Sequence, residues 1–162
     1  MNIVELRKLS LEFRRLSSNL LNSTDDTADI NLSRFLKFID GNELISAIIK
    51  SKISGIDYDF NKCYKIDYSG WAEYNPPEDE ARHIKAQYDY LVFISNENEA
   101  SVLGQAMQYY CQSSKKNDKI QSFLEMAFKP LIDFINDQIS MEMIVYDEEA
   151  KAIGGNTYIQ NI

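Results

Sequence analysis

"NDKIQSFLEMAFKPLIDFINDQIS", Asn117 to Ser140, is the stretch that decides the fold. Ile120, Leu124, Ala127, Leu131 and Phe134 recur at helical intervals and form one stripe, and Phe128, Ile132, Ile135 and Ile139 form a second beside it. An apolar face this wide must be covered from several sides, so the segment reads as the central helix of a bundle. Asp118 and Gln121 stand where a capping pair closes the amino end of such a helix. Pro130 lacks a backbone donor and crowds the preceding turn, which predicts a kink or a restart near Lys129. Asp147, Glu148 and Glu149 oppose the negative pole of a helix, so fraying is predicted there.

The same period governs the chain upstream. Leu6, Leu9, Phe13, Leu16 and Leu20 lie on one face of a helix from about Ile3 to Asn22, with Arg7, Lys8, Arg14 and Arg15 off that face. After the polar loop at Ser23–Thr27, Asn31 is placed to cap a helix holding Leu32, Phe35, Leu36 and Ile39, and Gly41 to end it in a left-handed turn. Asn42 can cap the next helix, whose inner residues are Leu44, Ile45, Ile48 and Ile49 and whose stop is Gly55. Further on, "NPPEDE" predicts a helix capped by Asn75 that runs to about Ile94 and buries Ala81, Ile84, Tyr88, Leu91 and Val92. A shorter helix from about Ala100 to Cys111 follows, weakened by Gly104.

One segment breaks the period. Between Ile56 and Tyr74 stand six aromatics, Tyr58, Phe60, Tyr64, Tyr68, Trp71 and Tyr74. Ile56, Tyr58 and Phe60 alternate with Asp57 and Asp59, and Tyr64, Ile66 and Tyr68 with Lys65 and Asp67, which predicts short strands and a hairpin around Asn61-Lys62. Two readings of these rings stand side by side. Rings turned inward would cover the core, each worth on the order of 2–3 kcal/mol when buried. Rings left partly bare would hold a protein partner, because Trp and Tyr are frequent interface anchors. The candidate partner-binding residues are therefore Tyr58, Tyr64, Tyr68, Trp71 and Tyr74.

Composition bounds the function. The 162 residues are 44% hydrophobic and 26% charged, as in an ordinary folded domain, and the net charge of −8 opposes nucleic acid and anionic membrane surfaces. Cys63 and Cys111 lack CxxC spacing, and neither a signal-peptide pattern nor a membrane-length apolar run is present, so the expected setting is the cytoplasm, with both thiols reduced.

Chemistry-bearing motifs are sparse. Glu80 and His83 have the spacing used by di-metal bundles, but those bundles repeat the motif, and this chain has one histidine. Helical ribonucleases of the HEPN type place an arginine four to six residues before a catalytic histidine; Pro77, Glu78 and Asp79 occupy those places here. No GxxxxGK[ST] or GxGxxG loop is present, and Asp57, Asp59 and Asp67 do not match an EF-hand loop. The basic residues Arg7, Lys8, Arg14, Arg15, Lys115 and Lys116 read as a solvated helix face and a loop.

The expectation is an all-α bundle of five or six helices, with an aromatic-rich insertion at about 56–74 that includes a short β-hairpin. Residues 1–150 form one helical domain; 151–162, with Gly154-Gly155 and then alternating Thr157 to Gln160, begin a strand or a further segment. The expected function is a non-enzymatic protein-protein interaction or oligomerisation module, with no catalytic residue, metal or cofactor. The alternative is an enzyme or nucleotide-binding domain built on a carboxylate-lined pocket. An Asn-, Ile- and Lys-rich composition further suggests a phage or mobile-element immunity or counter-immunity setting in bacteria.

Overall fold

Helix α1 (Ile3–Leu21) starts where two caps close on each other. Asn2 Oδ1 accepts the Glu5 N–H and the Glu5 carboxylate accepts the Asn2 N–H, both at 2.9 Å. The computed structural model describes residues 1–66, 70–96 and 100–160, and their side chains except those of Ile66 and of 154–160. The remaining elements are α2 (Ala28–Gly41), α3 (Glu43–Ile53), a 3-10 turn (Phe60–Lys62), β1 (Tyr64–Ile66), β2 (Ala72–Tyr74), α4 (Glu80–Asn96), α5 (Val102–Ala106) and α6 (Lys116–Gln160). The fold is 73% helical, with six helices and one antiparallel strand pair among the described residues.

Helix α6 is the central element, as its two stripes predict. It packs against α1, α3, α4 and α5, while α2 closes the bundle against α1, α3, α4 and α5. Phe13, Phe35 and Phe128 are fully buried with Leu6, Leu32, Ile39, Leu124, Leu131 and Ile135 in one continuous core. Both α6 stripes are spent there, apart from a half-buried Phe134.

Several boundaries differ from expectation, each for a local reason. Asn31 does not cap α2; it lies inside the helix, and its amide donates to Asn19 O and Ser23 Oγ. Gly41 is not left-handed. Helix α2 ends because Asn42 turns extended to cap α3, its Oδ1 accepting the Ile45 N–H at 3.0 Å. Gly55 does take the left-handed conformation, at φ +75. Asn75 does not cap α4, because its N–H donates to Cys63 O at 2.7 Å and ties it to the hairpin. Asp79 caps instead, accepting the Arg82 N–H. Helix α5 is shorter than predicted, since beyond Ala106 the chain turns to bring Gln108 O onto the Ala72 N–H.

The hairpin also closes elsewhere. Asp59 Oδ1 accepts the Asn61 N–H at 3.0 Å, which folds Asn61-Lys62 into the 3-10 turn rather than a strand connection. Tyr64 pairs with Tyr74, Lys65 with Glu73 and Ile66 with Ala72, and the connection returns through Gly70 at φ +87.

Helix α6 begins two residues before Asp118, which instead accepts from Ser113 Oγ at 2.6 Å. It neither restarts at Pro130 nor ends near Glu149. It runs 45 residues to Gln160, about 67 Å at 1.5 Å per residue. The alternation at Thr157–Gln160 is therefore carried on helical backbone, not a strand.

Candidate functional site

The aromatic hairpin is anchored where Pro130 interrupts the hydrogen bonds of α6. In an unbroken helix the Leu131 N–H would donate to Ala127 O. Here the Leu131 N–H donates to Gln87 Oε1 of α4 at 2.6 Å, and Ala127 O accepts the Tyr64 hydroxyl of β1 at 2.9 Å. Two side chains from two other elements thus bond backbone groups beside the proline ring, while Pro130 itself, having no N–H, leaves Met126 O without its helical donor. Gln87 is fully buried and Tyr64 nearly so.

A chain of polar contacts leads outward from this point. Gln87 Oε1 is an acceptor, so its amide nitrogen is the end that faces His83 Nε2, at 3.3 Å. His83 Nε2 must then present its lone pair, and it also lies 2.7 Å from the Tyr74 hydroxyl, which donates to it. The network assigns a neutral imidazole with its proton on Nδ1. Burial lowers the His83 pKa, with Glu80 pulling the other way. Burial also pushes the Tyr74 phenol up to about 12 and raises Tyr64 and Tyr90 above the ordinary tyrosine range. The Cys63 thiol, fully buried beneath the hairpin, is pushed up to about 11 by the same cause.

These shifts bear on what the arrangement can do. Every phenol and the thiol is held in its protonated form, and the imidazole lone pair is filled by the Tyr74 proton. No nucleophile in this set is activated by a lowered pKa. The network instead satisfies buried polar groups and fixes the hairpin to α4 and α6. A cleft of 440 Å³ opens to solvent beside it, lined by Tyr74, Ser122, Glu125, Met126, Lys129, Pro130 and Asp133. Asp133 is engaged by Lys129 Nζ at 2.8 Å, and His83 lies outside the lining. Among the described residues, no three His, Cys, Asp or Glu gather as a metal-holding group, and no helix is long and apolar enough to cross a membrane.

The four candidate aromatics among the described residues divide between core and surface. Tyr64 and Tyr74 stack at 5.6 Å between ring centroids, and Tyr64 also meets Tyr90 at 4.2 Å. Tyr58 is half-buried, with Lys62 Nζ 5.8 Å from its ring centre. Tyr68 lies outside the described residues. Trp71 is 55% exposed. Phe60, not among the five, goes inward against Tyr90 and Phe93.

Trp71 has company that the sequence did not announce. The next residue, Ala72, donates its N–H to Gln108 O at 2.7 Å, which joins the hairpin to the turn after α5. Met107 and Tyr110, which flank that turn, are 49% and 79% exposed. Three large apolar side chains thus come to the surface around one backbone hydrogen bond. The available signal was the Tyr109-Tyr110 pair: Tyr109 is buried against Phe123 and Tyr110 is not. Gln87 gave no signal, because one glutamine on a helix is ordinary. The chain matches no protein-family model, no curated protein and no solved structure.

Proposed function

We propose that this chain is a non-enzymatic, cytoplasmic interaction or oligomerisation module whose partner-facing platform is Trp71 with Met107 and Tyr110. The observation that carries this reading is the joining of two separate exposed segments by the Ala72–Gln108 hydrogen bond. Trp, Tyr and Met are the residue types enriched at interface centres. The platform rests on a rigid base, since Tyr64, Tyr74 and Gln87 lock the hairpin to the bundle. A pre-formed surface loses little entropy on binding. The net charge of −8 favours a protein partner with a cationic rim around an apolar centre. Composition alone supports the phage or mobile-element immunity setting.

The test is capture from the native lysate by the wild-type chain and by Trp71→Ala and Tyr110→Ala. The reading expects a specific protein partner that both variants lose while both still fold with wild-type circular dichroism. Capture that both variants retain in full counts against it.

A further inference from the structure

Helices α1 and α6 lie side by side and antiparallel. The Tyr146 hydroxyl donates to Met1 O at 2.6 Å, Arg7 meets Asp147 at 3.5 Å, and Phe13 and Ser17 share a groove with Ile132 and Asn136. This pairing sets Val4 level with Ile144, and Leu11 level with Asp137. Each helix turns the same spacing outward. On α1 the exposed series is Val4, Lys8, Leu11 and Arg15; on α6 it is Asp137, Met141, Ile144 and Glu148. Val4, Leu11, Met141 and Ile144 are each at least 55% exposed.

Charge divides this face in two. The α1 half carries Lys8 and Arg15, with Arg7 and Arg14 at one edge and Glu5 and Glu12 at the other, Glu12 lying 3.8 Å from Arg15; the helix is net basic. On α6, Asp133, Asp137, Glu142, Asp147, Glu148 and Glu149 lie between Lys129 and Lys151, which pair with Asp133 and Glu148 and leave the segment net acidic. A basic helix beside an acidic one, with apolar residues set in both, is complementary to itself after a half-turn about an axis parallel to the helices. A half-turn about an axis across the helices would instead stack acid on acid and base on base.

We propose that the α1–α6 outer face pairs with the same face of a second copy, α1 of each chain lying on α6 of the other. This deepens the interaction-or-oligomerisation reading by naming a partner, and it uses a face separate from Trp71. Asp137 of one copy then sits between Lys8 and Arg15 of the other, and Val4 covers Ile144. The face spans about 28 Å, the length of α1, by about 20 Å for two helices side by side. The pair therefore buries roughly 1,100 Å², the lower edge of specific interfaces. The dimer is weak and salt-sensitive, because exposed charges supply its selectivity.

The experiment is sedimentation equilibrium of the full chain across a wide concentration range, at low and at high salt. The expected result is a concentration-dependent rise from 18.7 kDa towards twice that mass, with the dissociation constant about tenfold higher in salt. Lys8→Glu/Arg15→Glu and Asp137→Lys/Glu148→Lys should each be monomeric alone, with wild-type circular dichroism, and should form a one-to-one dimer when mixed. A wild-type chain that stays monomeric at about 1 mM, a dimer indifferent to both charge reversals, or a mixture that stays monomeric overturns the proposal. Trp71→Ala must leave the dimer intact, so failure here is distinguishable from failure of the Trp71 platform.

Discussion

Gln87 takes the place of a backbone carbonyl in α6: its Oε1 accepts the Leu131 N–H at 2.6 Å, one residue beyond Pro130. A fully buried amide N–H without a partner costs about 1–3 kcal/mol, so Gln87→Leu should destabilise the fold by that amount in urea unfolding. In a Pro130→Ala background the same change should cost less, because residue 130 regains its N–H and the Leu131 N–H can return to Ala127 O. A double-mutant cycle measures the difference. Strict additivity would mean that Gln87 matters for some other reason than the proline break.

Tyr64 satisfies the other half of that break. Tyr64→Phe keeps the ring stacked on Tyr74 and Tyr90 but removes the hydroxyl that donates to Ala127 O. The expected loss is about 1–2 kcal/mol in the same unfolding measurement. Tyr64→Ala should cost about 3–5 kcal/mol, in line with deletion of a large core ring.

Trp71 should behave in the opposite way. At 55% exposure, Trp71→Ala should cost clearly less than Tyr64→Ala in the same unfolding measurement, because less of its ring is withdrawn from water. The aromatic stretch is therefore cover at Tyr64 and surface at Trp71, seven residues apart. A loss at Trp71 as large as that at Tyr64 would make the whole stretch cover.

Periodicity made most of the bundle legible. The stripes at Leu6–Leu20 and Ile120–Ile139 are the core stripes of α1 and α6, because burial on one helix face leaves a direct mark on residue order. Caps were harder to read. Asn31 and Asn75 resemble caps locally, but both are recruited by hydrogen-bond partners elsewhere, at Asn19 O and Ser23 Oγ and at Cys63 O. Pro130 was visible as a disturbance, but its remedy was not, since Gln87 and Tyr64 lie 43 and 66 residues away in sequence. The Trp71 platform was half legible: the hairpin was marked by its rings, whereas Met107 and Tyr110 join it only through the Ala72–Gln108 contact.

The neutral state of His83 makes stability depend on pH in a defined direction. Burial lowers its pKa below the ordinary 6.5, so the unfolded chain binds the proton more readily than the folded one. The contribution of the neutral imidazole is therefore complete above about pH 6.5 and declines as pH falls below it. Protonation would put an N–H on Nε2 facing the Gln87 amide nitrogen, whose orientation is held by the Leu131 N–H. His83→Gln should lose less stability than wild type between about pH 7 and pH 5. NMR titration of this single histidine should report a pKa below 6.5; a value above it would remove the basis for the assigned network.

Cys63 supplies a probe of the same structure. It is fully buried and its thiol is pushed up to about 11, whereas Cys111 is only half-buried. The thiolate is the reactive form, so brief alkylation of the native chain, read by mass spectrometry, should label Cys111 and spare Cys63. Cys63 should react only when the hairpin opens. If Tyr64 and Gln87 are what hold the hairpin to α6, then Tyr64→Phe and Gln87→Leu should speed labelling of Cys63 without changing that of Cys111. Trp71→Ala should leave both rates alone. Equal labelling of the two thiols in the wild-type chain would show that the hairpin is not locked to the bundle, and the rigid base of the Trp71 platform would be lost with it.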